Sequence, residues 1–137
     1  MIAPLLAGNV LGTAENSFAV AEWRDAGGIS ASPRYIAPCH VHHHDDEAWY
    51  VLEGTLCVQA GNERIEIPAG AGYLVTSGTP HTYWNPGPEP ARYLLFMTPA
   101  ILRLIRAIHS VTDRSPVAMA ALFAEHDSAL VDPPAGA

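Results

Sequence analysis

His40-Val41-His42-His43-His44-Asp45-Asp46-Glu47 packs four of the chain's seven histidines and three of its 14 acidic residues into eight positions. Imidazole and carboxylate at this density are what a divalent transition metal takes as ligands. The stretch fits His-x-His-x4-Glu-x6-Gly, filled by His40, His42, Glu47 and Gly54. Alternate residues of a strand share a face, so His40 and His42 point together and Val41 points away. Glu47 then enters from the following strand, after a turn over His43-His44-Asp45-Asp46. A second stretch carries Gly70, Gly78, His81 and Asn85. For His81 to join the first group, its strand must come round to the same interior point, which a closed barrel or jelly roll achieves. Three imidazoles and a carboxylate left unpaired in a dry interior would be costly, and a metal ion removes that cost.

The surrounding chain reads as all-β. Twelve prolines and 11 glycines punctuate short apolar runs, the pattern of a domain with many turns. Expected strands are 17–24, 34–37, 48–53, 55–59, 64–67, 73–75, 82–85 and 92–97. Glu53-Gly54-Thr55 and Ala60-Gly61-Asn62-Glu63 read as tight reversals, and Asn85-Pro86-Gly87-Pro88-Glu89-Pro90 as an exposed loop. After Met97 the pattern changes. Thr98-Pro99 and Ser115-Pro116 each place a capping residue before a proline. Ile101, Leu104, Ile105 and Ile108 follow at helical spacing. One domain over 1–137 is expected, with a barrel from about 15 to 97 and two helices from about 99 to 127 outside it. The tail from Asp132 reads as frayed.

The two motifs, from Pro38-Cys39-His40-Val41-His42 through Trp49-Tyr50-Val51-Leu52-Glu53-Gly54 to Thr79-Pro80-His81, resemble those of a small single-domain cupin. Thr76 and Gly72 depart from that pattern, where proline and an acidic residue are usual. Both are turn or strand-entry positions and leave the ligands intact. The resemblance implies a cupin-type jelly-roll barrel and selects His40, His42, Glu47 and His81 as ligands over a register using His42, His44 and Glu47. His43 and His44 then belong to a solvated turn. It implies one divalent transition metal per subunit, chosen from Fe, Mn, Ni, Co, Cu and Zn, and a homodimer with Tyr50, Leu52 and Trp84 on its outward parity. It also implies a quercetin dioxygenase-like activity: O2-dependent cleavage of a small enolisable or aromatic substrate. Glu47 is the expected catalytic carboxylate, both ligand and acceptor of a substrate proton. Trp49, Val51, Tyr83 and Phe96 are the expected pocket wall. A metal-dependent isomerase, epimerase or cyclase is the alternative, and a non-catalytic ligand- or metal-binding cupin the third reading.

Composition narrows the chemistry. All seven basic residues are arginine, so Schiff-base and P-loop lysine chemistry are excluded. A net charge of −7 argues against nucleic acid or an anionic membrane as partner. Cys39 and Cys57 read as free thiols. The mildly apolar stretch Ile2–Leu11 has no basic residue before it, and a cytoplasmic protein is expected.

Overall fold

The computed structural model describes residues 9–133. The apolar run at the N-terminus falls mostly outside that range, and the tail from 134 onward wholly so. Two five-stranded antiparallel sheets face each other. The first has the order β1-β2-β9-β4-β7, with β1 at Val10–Leu11, β2 at Ala19–Asp25, β9 at Ala91–Met97, β4 at Glu47–Glu53 and β7 at Gly72–Val75. The second has the order β10-β3-β8-β5-β6, with β10 at Ser128–Leu130, β3 at Ala37–His42, β8 at His81–Trp84, β5 at Thr55–Ala60 and β6 at Glu63–Pro68. This is the jelly-roll arrangement that the sequence leads one to expect.

Period-two burial builds the interior. Trp49 and Val51 of β4 face Tyr93 and Leu95 of β9 in register, and all four are buried. Leu56 and Val58 of β5, with Ile67 of β6, belong to the same cluster. Burying each such side chain contributes about 1.5–3 kcal/mol of transfer free energy. The chain passes from β4 in one sheet to β5 in the other through Gly54, at φ +75°. A Cβ there would collide with the Pro90 carbonyl, so both the backbone sign and the close approach require glycine. The β5–β6 hairpin turns at Gly61-Asn62, pairing Ala60 with Glu63.

Two helices follow β9: α1 at Pro99–Ser110 and α2 at Pro116–Glu125. Thr98 and Ser115 cap them by accepting from the backbone N–H of Ile101 and Ala118, each at 3.3 Å. α1 buries Ile101, Leu102 and Leu104, and α2 buries Phe123.

Three expectations are corrected. The strand expected at 34–37 begins where that range ends and runs on through both histidines, with an irregularity between Ala37 and His40. Pro38 at that point lacks an N–H and cannot donate to the ladder, which suits a break in register. The sheet does not end at Met97: after α2 the chain returns as β10 and pairs with β3, Ser128 opposite His42. Trp84 does lie on the outward parity of β8, yet it is only 2% exposed. The Tyr35 ring packs on it edge-on at 5.6 Å and the Arg64 guanidinium stacks at 5.1 Å, so it offers no surface to a partner.

Candidate metal centre and cavity

β3, β4 and β8 each place ligand-bearing side chains on the inner face. His40 and His42 come from β3, Glu47 opens β4, and His81 opens β8 directly opposite His40. All four are buried, and their ligand atoms lie within 4.8 Å of one another. His40 Nε2 is 3.1 Å from His42 Nε2. Glu47 stands 3.4 Å from His42 Nε2 through one oxygen and 3.5 Å from His81 Nε2 through the other.

What lies behind the rings decides what they present in front. His40 Nδ1 meets the Pro38 carbonyl at 2.6 Å, and His81 Nδ1 meets the Thr79 carbonyl at 2.9 Å. A carbonyl only accepts, so both rings carry their proton on Nδ1. His42 Nδ1 meets Ser128 Oγ at 2.7 Å, and that hydroxyl donates to the His126 carbonyl at 3.1 Å. The serine hydrogen is therefore spent, and its oxygen accepts from His42. In their neutral form all three rings then turn a bare Nε2 toward one point and toward the Glu47 carboxyl. His81 Nε2 is buried without a hydrogen-bond partner. Lone pairs at 3.1 Å repel; a divalent cation among them converts that repulsion into four bonds. Side chains fixed from behind in this way are the usual support of a metal site. The residues present fit a transition metal with a mixed N/O shell.

The electrostatics agree. Burial, followed by the nearby His81, brings His40 down to about 4, leaving it neutral and able to ligate at pH 7. Burial raises the Glu47 carboxyl, and positive charge at His42 and His81, or a cation between them, lowers it. A cation at this point therefore favours the ionised carboxylate.

Beside the ligands lies a cavity of about 230 Å³. His40 and Glu47 form part of its wall, with Trp23, Ile36, Leu95, Tyr83 and Tyr93 along the barrel and Ile105, Ile108 and His109 contributed by α1. The helix therefore does more than cover the barrel: it closes one side of the cavity. At its last turn His109 packs edge-on against Trp23 at 5.8 Å.

Of the expected wall residues, Tyr83 lines the cavity. Trp49 and Val51 are core residues, with the Trp49 ring 5.8 Å from His81 and 5.2 Å from Tyr83. Phe96 is a correction: it is 38% exposed and lies on the outer face with Phe18 and Leu74. It alternates with Tyr93, Leu95 and Met97, which face inward, so its parity is the wrong one. His43 and His44 are exposed at the turn, where His44 pairs with Asp127 at 2.6 Å, so the register through His44 is not formed. Asn85 serves the loop, accepting from Gly87 N–H at 2.8 Å and donating to the Glu89 carbonyl at 2.8 Å. Both cysteines are free and buried. Sequence reasoning missed Ser128 and Tyr93. Parity with Leu95 was a usable signal for Tyr93; none existed for Ser128, 86 residues from its histidine.

Residues 31–97 match the cupin domain family. The fold is a cupin-type jelly roll. All four candidate ligands lie inside the matched region, whereas α1, α2 and β10 lie beyond it. Among solved structures, the chain is similar to the protein TT1209 from Thermus thermophilus, with TM-score 0.52 and 25% identity over 61% of this chain and 73% of that one. A conserved protein with a double-stranded β-helix domain from Klebsiella pneumoniae gives TM-score 0.51 and 29% identity, over 61% of this chain and 69% of that one. In sequence, 73 residues are 30% identical to the tetracenomycin polyketide synthase protein TcmJ of Streptomyces glaucescens, covering 53% of this chain. The match spans about half of that relative, 49% of its length. No helix among the described residues is long and apolar enough to cross a membrane.

Proposed function

We propose that this protein is an enzyme that holds one divalent transition metal through His40, His42, Glu47 and His81 and acts on a small, largely apolar, enolisable oxygen compound. The observation that carries this reading is the convergence of four buried ligand atoms beside a mostly apolar cavity, two of them, from His40 and Glu47, belonging to residues of its wall. Bound there, such an ion acts as a Lewis acid, polarising a carbonyl and favouring its enolate. Ile36, Leu95, Ile105 and Ile108 hold apolar substrate surface and limit water. A carboxylate committed to a cation in this way would be a weak proton acceptor. Ligation is therefore the better supported of its two expected tasks, and proton acceptance the lesser.

The reading we favour is redox-neutral, an isomerisation or cyclisation through the enolate. The likeness to a protein named for a polyketide synthase supports it, since polyketide chains are rich in enolisable ketones. The dioxygenase reading is second. It is supported by the donor set of three imidazoles and one carboxylate, which would hold an ion that could supply O2 chemistry beside the cavity. A homodimer through the outer face bearing Phe18, Tyr50, Leu74 and Phe96 belongs to the same proposal, because these are four of the six large apolar side chains exposed among the described residues. Elemental analysis of reconstituted protein should find about one ion per subunit. A panel of β-dicarbonyl compounds should then turn over equally in air and under argon, without consumption at an oxygen electrode. Turnover only in air makes it a dioxygenase. Turnover of nothing in either gas makes it a binding protein. A monomer mass by light scattering would remove the dimer.

A further inference from the structure

Tyr83 and Tyr93 meet in the cavity wall with their hydroxyls 3.0 Å apart. They come from opposite sheets, Tyr83 from β8 and Tyr93 from β9, and their rings pack edge-to-face at 5.7 Å. Both are buried, at 6% and 2% exposure. A phenol brings one hydrogen and can accept as well as donate. The pair therefore holds two hydrogens and spends one on the bond between them. The other hydroxyl hydrogen has no acceptor among the described residues. Trp49 Nε1 is buried without a well-formed bond of its own and lies near enough to Tyr83 to oppose part of the rise that burial imposes on that phenol. It adds a donor to this corner, not an acceptor. An unspent donor beside an indole N–H in a low-dielectric wall is a cost that a bound acceptor removes. Glu47 and His40 line the same cavity.

We propose that the Tyr83–Tyr93 hydroxyl pair donates one hydrogen bond to an oxygen atom of the ligand, whose other oxygen faces the metal-binding residues. The inference rests on the proposed metal site and adds the ligand's class: a compact molecule with two oxygens, such as a β-dicarbonyl or an α-hydroxyketone, the second oxygen being an acceptor. The pair selects against an analogue with an alkyl group in place of that oxygen, because the donor then stays unpaired.

The test uses maltol, a small hydroxypyranone, titrated by calorimetry into wild type, Tyr83→Phe and Tyr93→Phe, with metal content measured in each sample. Loss of the hydroxyl that faces the ligand should weaken binding about tenfold with metal content unchanged, and the other variant should lose less. Equal affinity in all three proteins at equal metal content overturns the proposal and leaves the metal reading standing. The same titrations on metal-free protein separate the opposite case. If no metal is taken up by any sample, yet maltol still binds wild type more tightly than the variants, the metal reading fails and the donor role holds. No binding of maltol to wild type in either form overturns the donor role.

Discussion

The two sheets contribute to the interior in different ways. The sheet containing β3 and β8 supplies the three imidazoles, each anchored through Nδ1 to an oxygen acceptor behind it: the Pro38 carbonyl, Ser128 Oγ and the Thr79 carbonyl. The sheet containing β4 and β9 supplies one carboxylate and otherwise apolar or phenolic surface, from Trp49, Val51, Tyr93 and Leu95. One wall is fixed by directional bonds, the other by packing. Directional bonds set which atom each ring presents, which a ligand set requires. Packing tolerates substitution better, and that is where substrate preference can vary without loss of the metal site.

The sharpest way to break this contrast is to remove a ligand. His42→Ala should reduce bound metal from about one ion per subunit to a small residue, read by elemental analysis of reconstituted protein. Equal metal in both proteins would mean that the bonded wall is not a metal site. The packing behind the bonded wall is probed by Phe123→Ala. Phe123 is 1% exposed and its ring lies 5.8 Å from His40, so the deletion should cost about 3–5 kcal/mol in denaturant unfolding. A loss below about 1 kcal/mol would show that α2 is not packed as described.

Ser128→Ala should act more mildly and on the metal alone. It removes the acceptor behind His42, and affinity should fall about 10–100-fold with little change in fold. An unchanged affinity would put the tautomer argument in doubt. A smaller effect comes from alkali. Burial raises both Tyr83 and Tyr93, and the bond between them raises Tyr83 further. The folded state therefore keeps protons that the unfolded chain gives up near the ordinary phenol value of 10. Their contribution is complete below that pH and is lost as pH rises above it. Tyrosinate absorbance should show two of the five tyrosines ionising only as the protein unfolds. Smallest of all is Phe96→Ser, which should leave metal content and maltol affinity unchanged because the side chain lies outside the barrel.

Much of this was legible in the chain. His-x-His at strand spacing, with Glu47 at the start of the next strand, fixes three ligands locally, and the Gly78-to-His81 spacing marks the fourth. The caps at Thr98 and Ser115 announced both helices because side-chain capping is a local device. What could not be read was whatever depends on a distant segment. β10 is three residues long, too short for a periodic signal, and exists because β3 offers it an edge. Trp84 has the sequence signature of an exposed aromatic until Tyr35 covers it. Phe96 depends on no distant segment: the alternation of β9, with Tyr93, Leu95 and Met97 inward, already puts it outside.

Ser128 gives the metal site an order of assembly. All four ligands are made before residue 82, but the acceptor that fixes the third ring follows both helices. A growing chain holds three imidazoles and a carboxylate with nothing yet to dictate which nitrogen of His42 is bare. Only when the last strand closes against β3 does that ring become a committed ligand. Tight metal binding at the proposed site would therefore belong to the finished fold, and a chain cut short before Ser128 carries all four candidate ligands without the acceptor that holds His42 in place.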